Sequence, residues 1–311
     1  MTTTRIRELD ALRGFAVGGI MVVNTWQHAV QDLTGPRNGL DWTIEALFQS
    51  RFYPIFSLLF GMGFVLFMRR AGRWVLLRRL LWLLCFGLLQ HVFYQGEVLT
   101  GYAVWGALVL LPASFLTGGI PLGILGVAAV VWATSVGAGP ILIPALFLLG
   151  MAIMELRPSR SLLVPVFAVS ALATTLLTGA WASTGDWTVY SVAALTGATA
   201  YCTGLLLALR PWLSAALEPL GRMALTNYVT GTFVIFLAGG WLHADPTRWS
   251  VLAIALGTLV VQVPFSMWWL SRYRYGPLEW IWRSLTWFRR VPNRLESGRD
   301  QNRPLPDPGV S

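Results

Sequence analysis

Apolar runs about twenty residues long, separated by short polar connections, set the pattern of this chain from residue 12 to residue 271. A membrane-crossing helix needs about 20 apolar residues at about 1.5 Å each, with about 17 as the lower limit. By that ruler the sequence predicts ten spans, at 12–31, 46–68, 76–95, 97–115, 119–137, 140–156, 161–183, 187–209, 222–242 and 249–271. Turn signals punctuate the connections at Gly35-Pro36, Gly118-Gly119, Gly139-Pro140, Thr184-Gly185-Asp186 and Asp245-Pro246. No connection has room for a soluble domain. The expected fold is all-α, a polytopic membrane helix bundle forming one domain over 1–292. The segment 272–290 mixes arginines with aromatics, which predicts an amphipathic helix on the inner leaflet. The tail at 293–311 is polar and proline-bearing and is expected to be disordered.

Composition supports the bilayer as solvent. The chain is 55% hydrophobic and only 12% charged, whereas a soluble domain carries about 25% charged residues. All 23 basic residues are arginine and the net charge is +9. They sit in short clusters between apolar runs, which topology and anionic lipid headgroups explain without a nucleic-acid partner. With the N-terminus placed in the cytoplasm, the inside segments hold Arg5, Arg7 and Arg13; Arg69, Arg70, Arg73, Arg78 and Arg79; Arg157 and Arg160; Arg210 and Arg222; and eight more from Arg272 to Arg303. That is 20 of 23, leaving Arg37, Arg51 and Arg248 toward the outside. The positive-inside rule therefore assigns both termini to the cytoplasm. Trp26, Trp42, Trp74, Trp187, Trp241, Trp249, Trp268 and Trp269 fall near span ends and read as interfacial anchors. Cys85 and Cys202 lie inside apolar runs and read as small buried hydrophobes. The opening arginines and apolar run read as a retained first span, because Asp10 and Arg13 interrupt any signal-peptide pattern.

Polar groups inside spans are costly and attract functional hypotheses. Arg13 and Asn24 are eleven residues apart, which returns a helix to within about 20° and separates them by about 16 Å along one face. His28, four residues further on, is expected to continue that face about one turn toward the outside. Arg13 pairing with Asp10, and Asn24 bridging two helices, is the structural alternative. His91 lies about 18 Å above the Arg78-Arg79 pair, and Glu97 and Arg51 enter their spans from the same outer side. These residues could converge at one level, where a carboxylate beside an imidazole would make a general base. Alternatively Glu97 faces a helix N-terminus. His243 sits in an outer loop, where solvation accounts for it. Three scattered histidines give no metal-ligand spacing, and no metal is expected. Small-residue faces on spans one and two would serve intrachain packing or a homo-oligomer equally well.

Four segments resemble one family. Leu9-Asp10-Ala11-Leu12-Arg13-Gly14-Phe15-Ala16 with Asn24, Phe56-Ser57-Leu58-Leu59-Phe60-Gly61-Met62-Gly63, Gly221-Arg222-Met223-Ala224-Leu225-Thr226-Asn227-Tyr228 and Tyr275-Gly276-Pro277-Leu278-Glu279-Trp280-Ile281-Trp282-Arg283 look like the YeiB family, bacterial membrane proteins of domain of unknown function 418. The resemblance implies a multi-pass protein of the bacterial inner (plasma) membrane. It also implies kinship with transmembrane acyltransferases, which take an acyl group from a coenzyme A thioester in the cytoplasm and deliver it across the membrane. Sugar O-acetyltransferases of that kind carry an arginine or lysine and a histidine eleven positions apart on the first span. Arg13 and Asn24 occupy those positions here. The family commonly has histidine directly after Phe-Gly-Leu-Leu. This chain has Phe86-Gly87-Leu88-Leu89-Gln90, then His91, and one step turns a side chain by about 100°.

An acyltransferase built from these residues would hold the phosphates of acyl-CoA, acetyl-CoA in particular, with Arg13, Arg69, Arg70, Arg78 and Arg79. His28 or His91 would act as base, oriented by Glu97, while Asn24 or Arg51 would stabilise the oxyanion. The acceptor would be a small molecule or glycan. The competing readings are a transporter or exporter of a small or lipid-linked molecule, and a non-catalytic membrane partner of another complex.

Overall fold

A computed structural model describes residues 7–31 and 37–295. Arg5, the Gly35-Pro36 turn, Arg303 and the tail from residue 296 onward lie outside the described residues. Helix α1 (Arg7–Val30) is followed by a short α2 (Gly39–Leu47), then α3 (Phe52–Met68) and α4 (Arg73–His91). Helix α5 (Leu99–Trp105) passes through a π-helical turn at Gly106–Leu110 into α6 (Leu111–Ala113). Next come α7 (Gly119–Ser135), α8 (Leu142–Leu156), α9 (Leu163–Thr184) and α10 (Trp187–Ala208). Last are α11 (Pro211–Arg222), α12 (Ala224–Ala244), α13 (Trp249–Leu270) and α14 (Pro277–Trp287).

Every expected span contains a helix. Seven helical stretches are long and apolar enough to cross a membrane: α2–α3 together, α4, α8, α9, α10, α12 and α13. The run α5–α6 and α7 are shorter apolar helices. Helix α1 is long but carries Asp10, Arg13, Asn24, Gln27 and His28. The protein is a multi-pass, all-helical membrane bundle. Among the described residues, β-structure is confined to one isolated bridge between Tyr273 and Arg294.

Local chemistry redraws two of the expected boundaries. The span expected at 46–68 is two helices, because Asn38 and Asp41 form a capping box that starts α2 at Gly39 and the chain breaks again at Ser50, where φ is 61°. The stretch after Arg210 is a helix of its own, started by Pro211 at its first position. At 12 residues it is too short to register as a span. Two side-chain expectations also change. Trp26 is buried, its indole donating to Asp41 at 2.8 Å, so it ties α1 to α2 and is no interfacial anchor. Cys85 lies on an exposed face of α4.

Helix α1 is the centre of the bundle, packed against α3, α10, α11, α12 and α13. Helices α7 and α8 form one hairpin, docked through α8 on α3, and α9 and α10 form another. Helix α9 is peripheral, with only 6% of its apolar window buried in protein. Glycines permit backbone contact where helices cross. A Cβ on Gly14 would stand 2.1 Å from the Leu217 carbonyl oxygen, and one on Gly221 would stand 1.9 Å from that of Asp10. Gly61 and Gly150 do the same between α3 and α8. The small-residue faces of the first two spans are thus used within the chain.

The two ends of the bundle differ in charge. At one end Arg7 pairs with Glu218 at 3.0 Å, Arg69 with Glu155 at 3.2 Å, and Arg160 with Glu8. At the other, Asn38 donates to the carbonyls of Pro246 and Thr247 at 3.0 and 3.2 Å, and Arg248 lies 3.4 Å from Asp41. The arginine clusters therefore gather at a single end, which the positive-inside rule assigns to the cytoplasm. In the outer loop, hydrogen bonds from Thr247 and then Ser250 hold the Asp245 carboxyl below the usual carboxylate range.

The α1–α11 crossing yields a test. Gly14→Val forces a side chain into the Leu217 backbone and should cost about 1–3 kcal/mol, read as a lower thermal unfolding midpoint in detergent. Gly18→Ala, whose Cβ would meet only the Leu259 side chain at 3.8 Å, should melt as the native protein does. Equal midpoints for all three proteins would contradict the crossing.

Candidate functional site

Two cavities lie along one face of α1. The inner one, about 300 Å³, is at the arginine-rich end and is lined there by Asp10, Arg13, Arg79, Arg222, Glu279 and Trp282. Its remaining wall is mostly apolar and includes Phe60, Phe64, Leu83, Tyr102 and Tyr228. The outer one, about 370 Å³, is lined by Asn24, Gln27, Gln49, Ser50, Tyr53 and Tyr190 among others. Ile20, Val98 and Tyr102 line both. They form a shared wall between a cationic chamber and a neutral polar one.

The stripe on α1 explains this arrangement. Seven steps from Arg13 reach Ile20 and eleven reach Asn24, each returning to within about 20° of the starting direction. Arg13 therefore faces the inner cavity, Ile20 the wall and Asn24 the outer cavity. Gly63 of α3 leaves room for the Arg13 guanidinium, which a Cβ there would approach to 3.3 Å. His28 leaves the stripe, because a four-residue step overshoots a full turn by about 40° and places it about 60° from Arg13. It faces α12 instead. A Cβ on Gly239 would stand 3.0 Å from His28 Nε2, and the His243 ring lies 5.2 Å away. His243 Nε2 contacts the His28 carbonyl oxygen at 3.0 Å.

The expected outer cluster does not assemble around Asn24. His91 is exposed, while its neighbour Gln90 is 1% exposed and donates to Thr232 Oγ1 at 2.7 Å. The single-residue offset has turned the imidazole out and the amide in. Glu97 accepts from the Thr100 backbone N–H at 3.0 Å and so caps the first turn of α5. Arg51 is buried and donates to the Gln49 carbonyl at 3.0 Å and to Thr178 Oγ1 at 3.2 Å. That is a packing role against α9, and against α10 as well, where a Cβ on Gly197 would stand 2.9 Å from Arg51 Nε. Of His28, His91, Asn24, Glu97 and Arg51, only Asn24 lines either of these two cavities.

The expected phosphate-binding arginines also divide. Arg13 and Arg79 line the inner cavity, Arg69 pairs with Glu155, Arg70 is exposed, and Arg78 lies over the Phe288 ring at 4.4 Å. Arg13 bonds Asp10 at 2.9 Å. Arg79 differs from it. Its guanidinium lies 3.7 Å over Trp282 and 4.9 Å over Phe67. Among the described residues it forms no ion pair, and the charges acting on it are those of Arg283 and Arg13. Asp10 and Glu279 also line the cavity, but Asp10 is bonded to Arg13 and Glu279 to the start of α12, so a half-buried guanidinium held against π-faces is set up for an anion.

The floor of this cavity is α14. The Trp282 indole donates to the Arg79 carbonyl at 2.9 Å. Glu279 accepts from the backbone N–H groups of Leu225 and Thr226 at 2.7 and 3.0 Å and from Thr226 Oγ1 at 2.6 Å. It thus caps α12 from a distant point in the chain. Burial pushes the Glu279 carboxyl above its ordinary range, opposed by those hydrogen bonds. Arg222, Glu279 and Trp282 belong to the C-terminal motif, whereas no local pattern in the sequence marks Tyr102. The usable signal was the motif itself, since residues from all four quoted segments line this one cavity.

Fold and cavities together define a multi-pass membrane protein built round a polar first helix. The family described as "Protein of unknown function (DUF418)" matches residues 154–289. An uncharacterized 39.9 kDa protein from the amylase 3' region of Bacillus acidopullulyticus is 33% identical over 353 aligned positions, covering 95% of this chain and 98% of the relative. YxaH of Bacillus subtilis is 28% identical over 94% of this chain and 96% of its own length, and YeiB of Escherichia coli 25% over 89% and 95%. The chain belongs to this DUF418, YeiB-like family. No solved structure matches it.

Glu279 supplies the test for this region. Its folded state holds the carboxyl proton to higher pH than the unfolded chain does. Its contribution to stability is therefore full below about pH 4.3, the unfolded value, and is lost as pH rises through the raised folded pKa. Glu279→Gln should flatten that part of the stability–pH curve. Glu279→Ala, which strands two α12 N–H groups, should cost about 1–2 kcal/mol in the acid range where that contribution is full. Parallel pH curves for native protein and Glu279→Gln would rule the assignment out.

Proposed function

We propose that the protein, in the bacterial cell membrane, binds an acyl thioester of coenzyme A in the inner cavity and passes the acyl group to an acceptor in the outer one. The observation that carries this reading is Arg79, which among the described residues forms no ion pair, in a chamber it shares with Arg13 and Arg222 and with the already engaged carboxyls of Asp10 and Glu279. Guanidinium groups match phosphate oxygens through paired, charge-assisted hydrogen bonds. The apolar wall above them suits the uncharged arm of such a donor, and the cavity's size suits a short acyl group such as acetyl. The thioester carbonyl would rest at the wall of Ile20, Val98 and Tyr102.

In the transfer, an acceptor amine or hydroxyl from a small molecule or glycan attacks the thioester carbonyl. The carbon–sulfur bond breaks, the thiolate withdraws into the inner cavity, and the proton lost by the acceptor ends on that sulfur. Asn24 is the side chain placed to donate an amide N–H to the developing oxyanion from the outer side. An amine, nucleophilic when neutral, suits this neutral chamber better than a hydroxyl that needs a base. The back-to-back cavities also favour a second reading, in which an organic anion is carried whole from one to the other.

Binding of acetyl-CoA to the purified protein, followed by calorimetry and by release of free thiol, tests both. Arg79→Ala should weaken binding roughly ten- to a hundredfold, the loss of one charge-assisted contact, whereas Arg70→Ala and His91→Ala should leave it unchanged. Native affinity in Arg79→Ala would overturn the assignment. Counterflow of a labelled anion in proteoliposomes without thiol release would select the carrier.

A further inference from the structure

Of the three residues that wall the cavities apart, Tyr102 is the polar one. It is 1% exposed, and its ring stands edge-on to Phe56, Phe60 and Phe147 at centroid distances of 5.7, 5.3 and 5.2 Å. Its hydroxyl proton is shared between Ser57 Oγ at 2.7 Å and the Tyr53 carbonyl at 3.2 Å. Ser57 in turn donates to the same carbonyl at 2.8 Å. Both anchors belong to α3, while the Tyr102 backbone belongs to α5. The ring therefore bridges two helices by contacts at its tip.

The backbone beneath the ring is held independently of that tip. Glu97 caps the start of α5 through Thr100, and the Val98 N–H donates to the Tyr228 hydroxyl at 3.2 Å. Four residues past Tyr102 the chain enters its π-helical turn at Gly106, a feature that recurs at functional sites. Rotation of the side chain thus requires release of its hydroxyl from α3 and leaves the main-chain anchors in place.

We propose that Tyr102 is a gate: latched to Ser57 it keeps the two cavities separate, and released it joins them into one passage through the bundle. The gate rests on the pair of cavities used above and not on thioester chemistry. A ligand handed from the inner chamber to the outer one has to pass this side chain, whichever bond is made or broken there.

The test is access to a thiol placed in the inner cavity. In a background with Cys85→Ala and Cys202→Ala, Leu83→Cys supplies the reporter, and a membrane-impermeant methanethiosulfonate is added outside intact cells. Labelling should be slow with Tyr102 present. It should rise roughly two- to tenfold in Tyr102→Phe and Ser57→Ala, as expected for loss of one neutral hydrogen bond from the closed state, and further in Tyr102→Ala. Melting points of the purified variants separate folding from gating, since a merely structural hydroxyl would lower the midpoint and leave labelling unchanged. If Tyr102→Ala does not fold, the two conservative variants decide. Native labelling rates in folded Tyr102→Phe and Ser57→Ala would overturn the gate, and retained acetyl-CoA binding in Ser57→Ala, whose side chain lines neither cavity, would show that the donor site stands without it.

Discussion

Hydrocarbon cannot solvate a charge, and every other feature of this bundle answers to that fact. Helix α1 carries Asp10, Arg13, Asn24 and His28 through the membrane, and a charged group at bilayer depth costs about 2.5–3.5 kcal/mol on insertion scales. Such a helix is stable only inside protein. Apolar helices accordingly surround it, α11 crossing at the Gly14 and Gly221 contact and α3, α10, α12 and α13 closing the remaining sides. The polar stripe that needed enclosure then faces the two internal chambers, so the element least suited to lipid defines the site.

Much of the architecture was legible because the bilayer imposes one length scale. The ten apolar runs became helices, and the described arginine clusters that parity placed on one side do gather at one end of the bundle. Elements shorter than a membrane-crossing length were not legible: α2 rests on the Asn38 capping box and α11 on Pro211. For the site, the eleven-residue spacing of Arg13 and Asn24 carried real information, since helical geometry fixes it. Convergence between helices did not follow from sequence. His91 and Gln90 show why, because one position decides which of two polar neighbours turns inward, and only the packing of α4 on α12 settles it. Arg51 and Glu97 were drawn into packing and capping by neighbours whose proximity no local pattern reveals.

The C-terminal motif gains a physical meaning from the same packing. Its two halves are separated by all of α13, yet Glu279 lends its carboxylate to the free N–H groups that begin α12, and the Arg222 guanidinium donates to the Arg274 carbonyl at 3.2 Å. Gly276 is small because a Cβ there would stand 2.1 Å from a Glu279 carboxylate oxygen. The motif is a clasp between α12 and α14, and α14 closes the chamber in which Arg79 stands.

That closure bears on biogenesis. The chamber draws on residues from Asp10 to Trp282, so its first and last contributors leave the ribosome far apart in time. Until α14 emerges and its indole reaches the Arg79 carbonyl, the chamber has no floor. A nascent chain would therefore present its cationic cleft open to the cytoplasm, and arrival of the final helix would be the event that closes it.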